Sequence, residues 1–195
     1  GTGSDGVHLL LLGDPDADID ELANQWNSAA GFSKDYPAFH GNEHQPSRSS
    51  IIDILDALPE DTIAIAPHIL SENGVASGNS IQEKSIRWRC LHHDRLEAVD
   101  VGVSTGTGWN DKFRSRQLDN FPVLARMAFV STSDAYSVEG LGRHTWIRMF
   151  RPDLASLRQA LLDYEARIFC DSDARHGGAD PNQVKHAHIE SIHIE

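Results

Sequence analysis

Short apolar runs alternate with amphipathic stretches along this chain, and that alternation restricts the fold more than any other feature. Residues 7–12 form a continuous apolar run closed by Gly13-Asp14-Pro15-Asp16, the pattern of a strand buried on both faces. Residues 18–28 then place Ile19, Leu22, Ala23 and Trp26 on one helical face, with acidic residues near the start where the helix dipole favours them. A loop rich in Gly, Pro and Ser leads to a second amphipathic helix carrying Ile51, Ile52, Leu55 and Leu58. Its expected cap is Ser47 or Ser49, and Pro59 ends it. Residues 62–67 predict the next buried strand, which delivers His68 just beyond its C-terminal end. A helix with Ile81, Ile86 and Trp88, strands over 96–103 and 123–130, and a helix opened by Pro152 complete the pattern. Such alternation predicts a parallel α/β architecture, an open sheet or a barrel, with functional residues at the strand C-termini.

Composition narrows the class. The 195 residues suffice for one large domain with a real core, and no methionine begins them, so the chain is expected to open in mid-domain. Seventeen basic against 29 acidic residues give a net charge of −12, which argues against broad charge-driven binding to nucleic acid or anionic lipid and leaves room only for a local basic groove. The apolar runs are too short to span a bilayer and no signal-peptide pattern is visible, so a cytoplasmic location without a membrane partner is expected. Cys90 and Cys170 form no CxxC pair and fit a reducing compartment.

Eleven histidines stand out, and imidazole is the commonest protein metal ligand. His68 and Asp134 each follow a predicted strand, while His8 lies near the start of its apolar run. Imidazole and carboxylate converging at one mouth suit Zn, Mn or Fe. Other features carry less. Residues 104–108 are glycine-rich, but no Lys-Ser or Lys-Thr follows at P-loop spacing, so a turn is expected. His92 and His93 are adjacent, point apart on a helix and are expected to be solvated. Arg87, Trp88 and Arg89 read as a packed tryptophan between two surface arginines.

Three longer strings resemble the PHP (polymerase and histidinol phosphatase) superfamily, in its TrlF-like type fused to an AAA-like or SMC-like ATPase. Ala66-Pro67-His68-Ile69-Leu70-Ser71-Glu72-Asn73-Gly74 resembles that group's third metal motif. Ser133-Asp134-Ala135-Tyr136 resembles its fourth, normally Asp-x-His, with Tyr136 in the histidine's place. Thr145-Trp146-Ile147-Arg148-Met149, with Ser156-Leu157-Arg158-Gln159-Ala160-Leu161-Leu162-Asp163, resembles the segment that closes the domain. The resemblance covers residues 7–168 and implies part of a distorted (β/α)7 barrel with His8, His68 and Asp134 as metal ligands.

The same resemblance implies a Zn, Mn or Fe site acting on a phosphoester, with nucleic acid as a substrate class. Tyr136, a substitute ligand in the histidine's place, is expected to weaken one site or change its metal. Glu72 reads either as a group orienting His68 or as a solvated loop carboxylate, and Arg143 and His144 either as phosphate-binding or as surface residues. The family's opening His-x-His, its second histidine motif and its glutamate ligand would precede residue 1. The expected organisation is a PHP-like domain over 1–170, a linker over 171–184, and the first strand of a following ATPase over 185–195. His186 and His188 then share one face of that strand, which is expected to stand orphaned or to pair with another copy in a homo-oligomer. A phosphoesterase or nuclease coupled to an ATPase suits nucleic-acid processing or defence against phage. The competing expectation, drawn from Tyr136, is a non-catalytic scaffold or regulatory module for the ATPase.

Overall fold

The computed structural model describes residues 6–40, 43–71, 74–76, 82–102, 108–119, 121–133, 135, 137–142 and 144–170. Four strands form the central sheet: β1 (Leu10–Gly13), β4 (Thr62–Ala66), β5 (Leu96–Asp100) and β6 (Ala128–Val130), in the order β1-β4-β5-β6. Between β1 and β4 run helix α1 (Ile19–Ala29), a small hairpin of β2 (Phe39–His40) and β3 (Glu43–His44), and helix α2 (Ile51–Ala57). Helix α3 (Ile86–Leu91) joins β4 to β5, and α4 (Trp109–Arg114) with a 3-10 turn at Pro122–Ala125 joins β5 to β6. Strands β7 (Thr145–Ile147) and β8 (Ile168–Cys170) pair antiparallel around helices α5 (Leu154–Leu162) and α6 (Tyr164–Arg167).

The fold is thus α/β, as the alternation predicts, but the sheet is mixed. Strands β4, β5 and β6 are parallel, whereas β1 runs antiparallel to β4 with Leu10 opposite Ile65 and Gly13 opposite Thr62. An apolar run reads the same in either direction, so its strand sense is set by the connection. Gly13 and Thr62 lie at the same end of the sheet, and a connection of two helices and a hairpin returns the chain there. One helix between β4 and β5 instead leaves it to cross over and continue parallel. Nor is the first strand buried on both faces: Leu10 at the edge is 41% exposed, while Val7 and Leu9 before it are buried. Among the described residues the strands make this open sheet and two two-stranded pairs, with no closed barrel.

Two further expectations shift. The run over 123–130 is a strand only at Ala128–Val130, because Pro122 fixes φ for a helical first turn ahead of it. The cap of α2 is Ser50, which forms a capping box with Asp53. Ser47 instead donates to Ala30 O at 2.7 Å and accepts from Ser49 N at 3.0 Å, tying the loop to the end of α1. The expected linker and following strand over 171–195 lie outside the described residues, as do Ile81 and residues 104–107 of the glycine-rich loop.

Strand β4 divides the core. All five of its residues are buried; Ala64 and Ala66 face one cluster with α2 and α3, and Ile63 and Ile65 face another with α5 and β8. Period-two alternation sends the small side chains to one face, where they admit Ile51, Leu55 and Leu91, and the large ones to the other. Polar contacts fasten these layers at the amino ends of the strands. Trp26 Nε1 donates to Thr62 Oγ1 at 2.9 Å. Arg158 on α5 donates Nε to both Glu97 oxygens at 3.0 and 3.1 Å, and Nη2 to Glu60 O and Thr62 O at 2.8 and 3.1 Å. Asp153 caps the same helix by accepting from Ser156 N at 2.7 Å, a bond that holds its carboxyl below the usual carboxylate range.

Arg158 therefore does more than an exposed ion pair, since its loss leaves the mostly buried Glu97 carboxylate without its cation. Arg158→Ala is expected to lower unfolding free energy by about 2–3 kcal/mol. Urea denaturation followed by circular dichroism checks this, and a change within ~0.5 kcal/mol would show that the bridge carries no load.

Candidate functional site

The carboxyl ends of β4, β5 and β6 meet at one edge of the sheet, and the reversed sense of β1 brings His8 to the same edge. Continuing its register past the Leu10–Ile65 pair sets His8 level with Pro67, one residue before His68. The two rings meet there: His8 Nδ1 lies 2.9 Å from His68 Nε2, with centroids 4.9 Å apart and planes at 76°. A parallel first strand would have left His8 at the far end.

His68 sits on a constrained turn. Its φ is +34°, in the left-handed region that a side chain rarely adopts, a strain of order 1–3 kcal/mol that the surroundings must hold. Ser71 N donates to His68 O at 2.8 Å, and Ser71 Oγ lies 2.7 Å from His68 Nδ1. Ile69 is fully buried; its N–H donates to Asp100 O at 2.9 Å and its carbonyl accepts from Ala76 N at 2.8 Å. Gly74 completes the turn, because a Cβ there would fall 2.2 Å from Ile69 O. The glycine of the third-motif string thus has a steric reason.

Asp100, the last residue of β5, was not singled out as a site residue by its sequence position, yet it anchors this edge. It is 2% exposed. Its Oδ1 accepts from Gly102 N at 2.9 Å and Thr132 N at 3.3 Å, and its Oδ2 from Thr132 Oγ1 at 2.5 Å and His68 N at 3.4 Å. One carboxylate therefore joins the loops that follow all three parallel strands. A carboxylate has about four acceptor positions, and four donors occupy these. The signal was present in the sequence: ending the third strand at Asp100 instead of at 103 gives it the place that His68 holds after β4. Arg114 on α4 lies nearby, donating Nε and Nη2 to Val101 O at 3.1 and 2.7 Å. Burial pulls its guanidinium below its ordinary value, and the carboxylates of Asp111 and Asp100 oppose that shift.

Of the other sequence-derived site residues, Asp134, Tyr136, Glu72 and Arg143 lie outside the described residues. His144 is exposed, its Nδ1 is 3.3 Å from Gly142 O, and its ring meets Trp146 edge-on at 5.1 Å. It lines a cavity of about 360 Å³ with Ser131, Thr132, Ser133 and the apolar residues Leu10 and Leu157, a cavity that neither His8 nor His68 lines. His92 and His93 are not the solvated side chains expected. His92 stacks on Trp88 at 3.9 Å and bonds its carbonyl at 2.8 Å, while His93 Nε2 pairs with Asp56 at 3.1 Å.

Among the described residues no group of three or more His, Cys, Asp or Glu side chains is arranged to hold a metal ion. The His8–His68 pair brings two imidazole nitrogens within hydrogen-bond distance. Two nitrogens on a tetrahedral metal stand about 3.4 Å apart, so chelation would require loss of the proton shared between the rings, an opening of ~0.5 Å and a turn of both rings toward a common point. Comparison with family models, curated proteins and solved structures finds no match for this chain. The resemblance to the PHP superfamily accordingly rests on the residue strings alone.

Two outcomes follow from the anchoring. Asp100→Ala should cost roughly 2–4 kcal/mol, because it strands buried donors of three loops, and Asp100→Asn should recover only part of it, since its amide group faces N–H and O–H donors. Chemical denaturation of both variants tests the ranking, and equal stability to the parent protein would refute the anchoring role. Gly74→Ala should loosen the turn at His68, seen as faster amide hydrogen exchange at Ile69 and Ala76, with the protein still folded. Unchanged protection at both amides counts against the steric reading.

Proposed function

We propose that this chain is part of a metal-dependent phosphoesterase or nuclease of PHP type, its sheet a portion of a distorted (β/α)7 barrel, linked to an ATPase. The observation that carries the reading is the approach of His8 Nδ1 to His68 Nε2 at 2.9 Å, on a strained turn at the carboxyl ends of the strands. Asp134 follows β6 two residues after Thr132, whose backbone and hydroxyl are held by Asp100. His8, His68 and Asp134 are the residues that would hold Zn, Mn or Fe, and Tyr136 stands as a substitute ligand.

When bound, such a cation supplies Lewis-acid polarisation of a phosphoester. The chain's own part is to hold the imidazoles with their nitrogens facing one another and to keep the acceptors of Asp100 committed to the loops. Arg143 would bind phosphate, whereas His144 lines a cavity apart from His8 and His68 and is left out of that role. The acidic balance of the protein, at −12, favours a confined substrate groove over a broad nucleic-acid surface. A role in nucleic-acid processing or phage defence belongs to the analogy with the family's domain pairing.

A second reading is a non-catalytic PHP-like scaffold for the ATPase, favoured by Tyr136 where the family's Asp-x-His has histidine. A phenol titrates near pH 10 and is a weaker ligand unless the metal lowers that value. Elemental analysis of the complete protein, with phosphodiester turnover of the native, His68→Ala and Asp134→Ala forms, decides between them. The enzyme reading expects bound Zn, Mn or Fe and a loss of at least ~100-fold in turnover in both variants. Metal-free native protein, or turnover unchanged by both substitutions, leaves the scaffold.

A further inference from the structure

Ser71 stands against His68 without a part in the chemistry so far. Its Oγ lies 2.7 Å from His68 Nδ1, and its backbone N–H closes the turn onto His68 O at 2.8 Å. The hydroxyl is therefore held to the ring by the same residues that shape the turn. The other ring nitrogen, Nε2, faces His8 Nδ1 at 2.9 Å. A neutral imidazole carries one N–H and one lone pair, and the partner of one nitrogen decides which form is present.

The two forms differ in consequence. With the proton on Nδ1, His68 donates to Ser71 Oγ, and the Nε2 lone pair points toward His8. With the proton on Nε2, Ser71 donates to Nδ1, and the nitrogen facing His8 has no lone pair to give. Ser71 is exposed, so solvent completes the bonding of its hydroxyl in either form: it accepts from the ring and donates to water in the first, and donates to the ring and accepts from water in the second, and metal ligation is what separates them. A histidine that ligates a metal donates its remaining N–H to an outer acceptor, and Ser71 Oγ is the acceptor in place here.

We propose that Ser71 is a positioning residue that holds His68 in the Nδ1–H form, leaving Nε2 as the ligating nitrogen; the ligating half of this rests on the metal reading above. The turn geometry thus gives Ser71 the orienting part that the sequence alone suggested for Glu72.

The test uses the complete protein, labelled with nitrogen-15 and free of metal, together with its Ser71→Ala and Ser71→Thr variants. Long-range proton–nitrogen correlation spectra read the protonated nitrogen of His68 directly. Nδ1–H is expected in the native protein and Ser71→Thr, with a shift toward Nε2–H in Ser71→Ala. Zinc titration against a chromophoric chelator should then show about 10–100-fold weaker binding in Ser71→Ala and near-native binding in Ser71→Thr. Nε2–H in the native protein, or an unchanged His68 spectrum in Ser71→Ala, overturns the proposal. If native protein binds no zinc while the spectra change as expected, the metal reading fails and the control of the ring by Ser71 stands.

Discussion

The carboxylate of Asp100 is the constraint on which the functional edge depends. Placed at the end of the middle parallel strand and almost wholly buried, it would be costly if left without partners. It satisfies its four acceptor positions with donors from the loops after β4, β5 and β6, so the three loops cannot move independently.

Strand direction does the rest. His8 reaches His68 only because β1 opposes β4, and β1 opposes β4 because a pair of helices brings the chain back to the end it left. The first strand thus contributes through its beginning, while the parallel strands contribute through their ends. This also explains its exposure pattern. Among the described residues β1 has one neighbour, β4, and Leu10 remains open while Val7 and Leu9 sink into the cluster with α2.

The alternation of apolar runs and amphipathic stretches made the α/β class legible, and His68 was placed correctly because Pro67 and the buried run before it mark a strand end. Direction was not read, although two predicted helices between the first two strands and one between the next two carried that information. Asp100 escaped because a carboxylate near the end of an apolar run looks like part of the strand until the register of three loops is known. Ser71 escaped for a different reason. A serine in a polar loop has no periodicity to distinguish it, and only a turn with a left-handed histidine brings its hydroxyl back onto the ring.

That left-handed residue links stability to chemistry. A φ of +34° at His68 is unfavourable for a residue with a Cβ, and glycine would relieve it without supplying an imidazole. The turn keeps the histidine because its neighbours hold the backbone elsewhere: Ile69 is fully buried and bonded through both its N–H and its carbonyl, and Gly74 leaves room for that carbonyl. The strain sits on His68, directly before an Ile69 that is held on both sides of its peptide. Relaxing it would rotate the ring away from both Ser71 and His8, so the same packing that tolerates the conformation also aims the side chain.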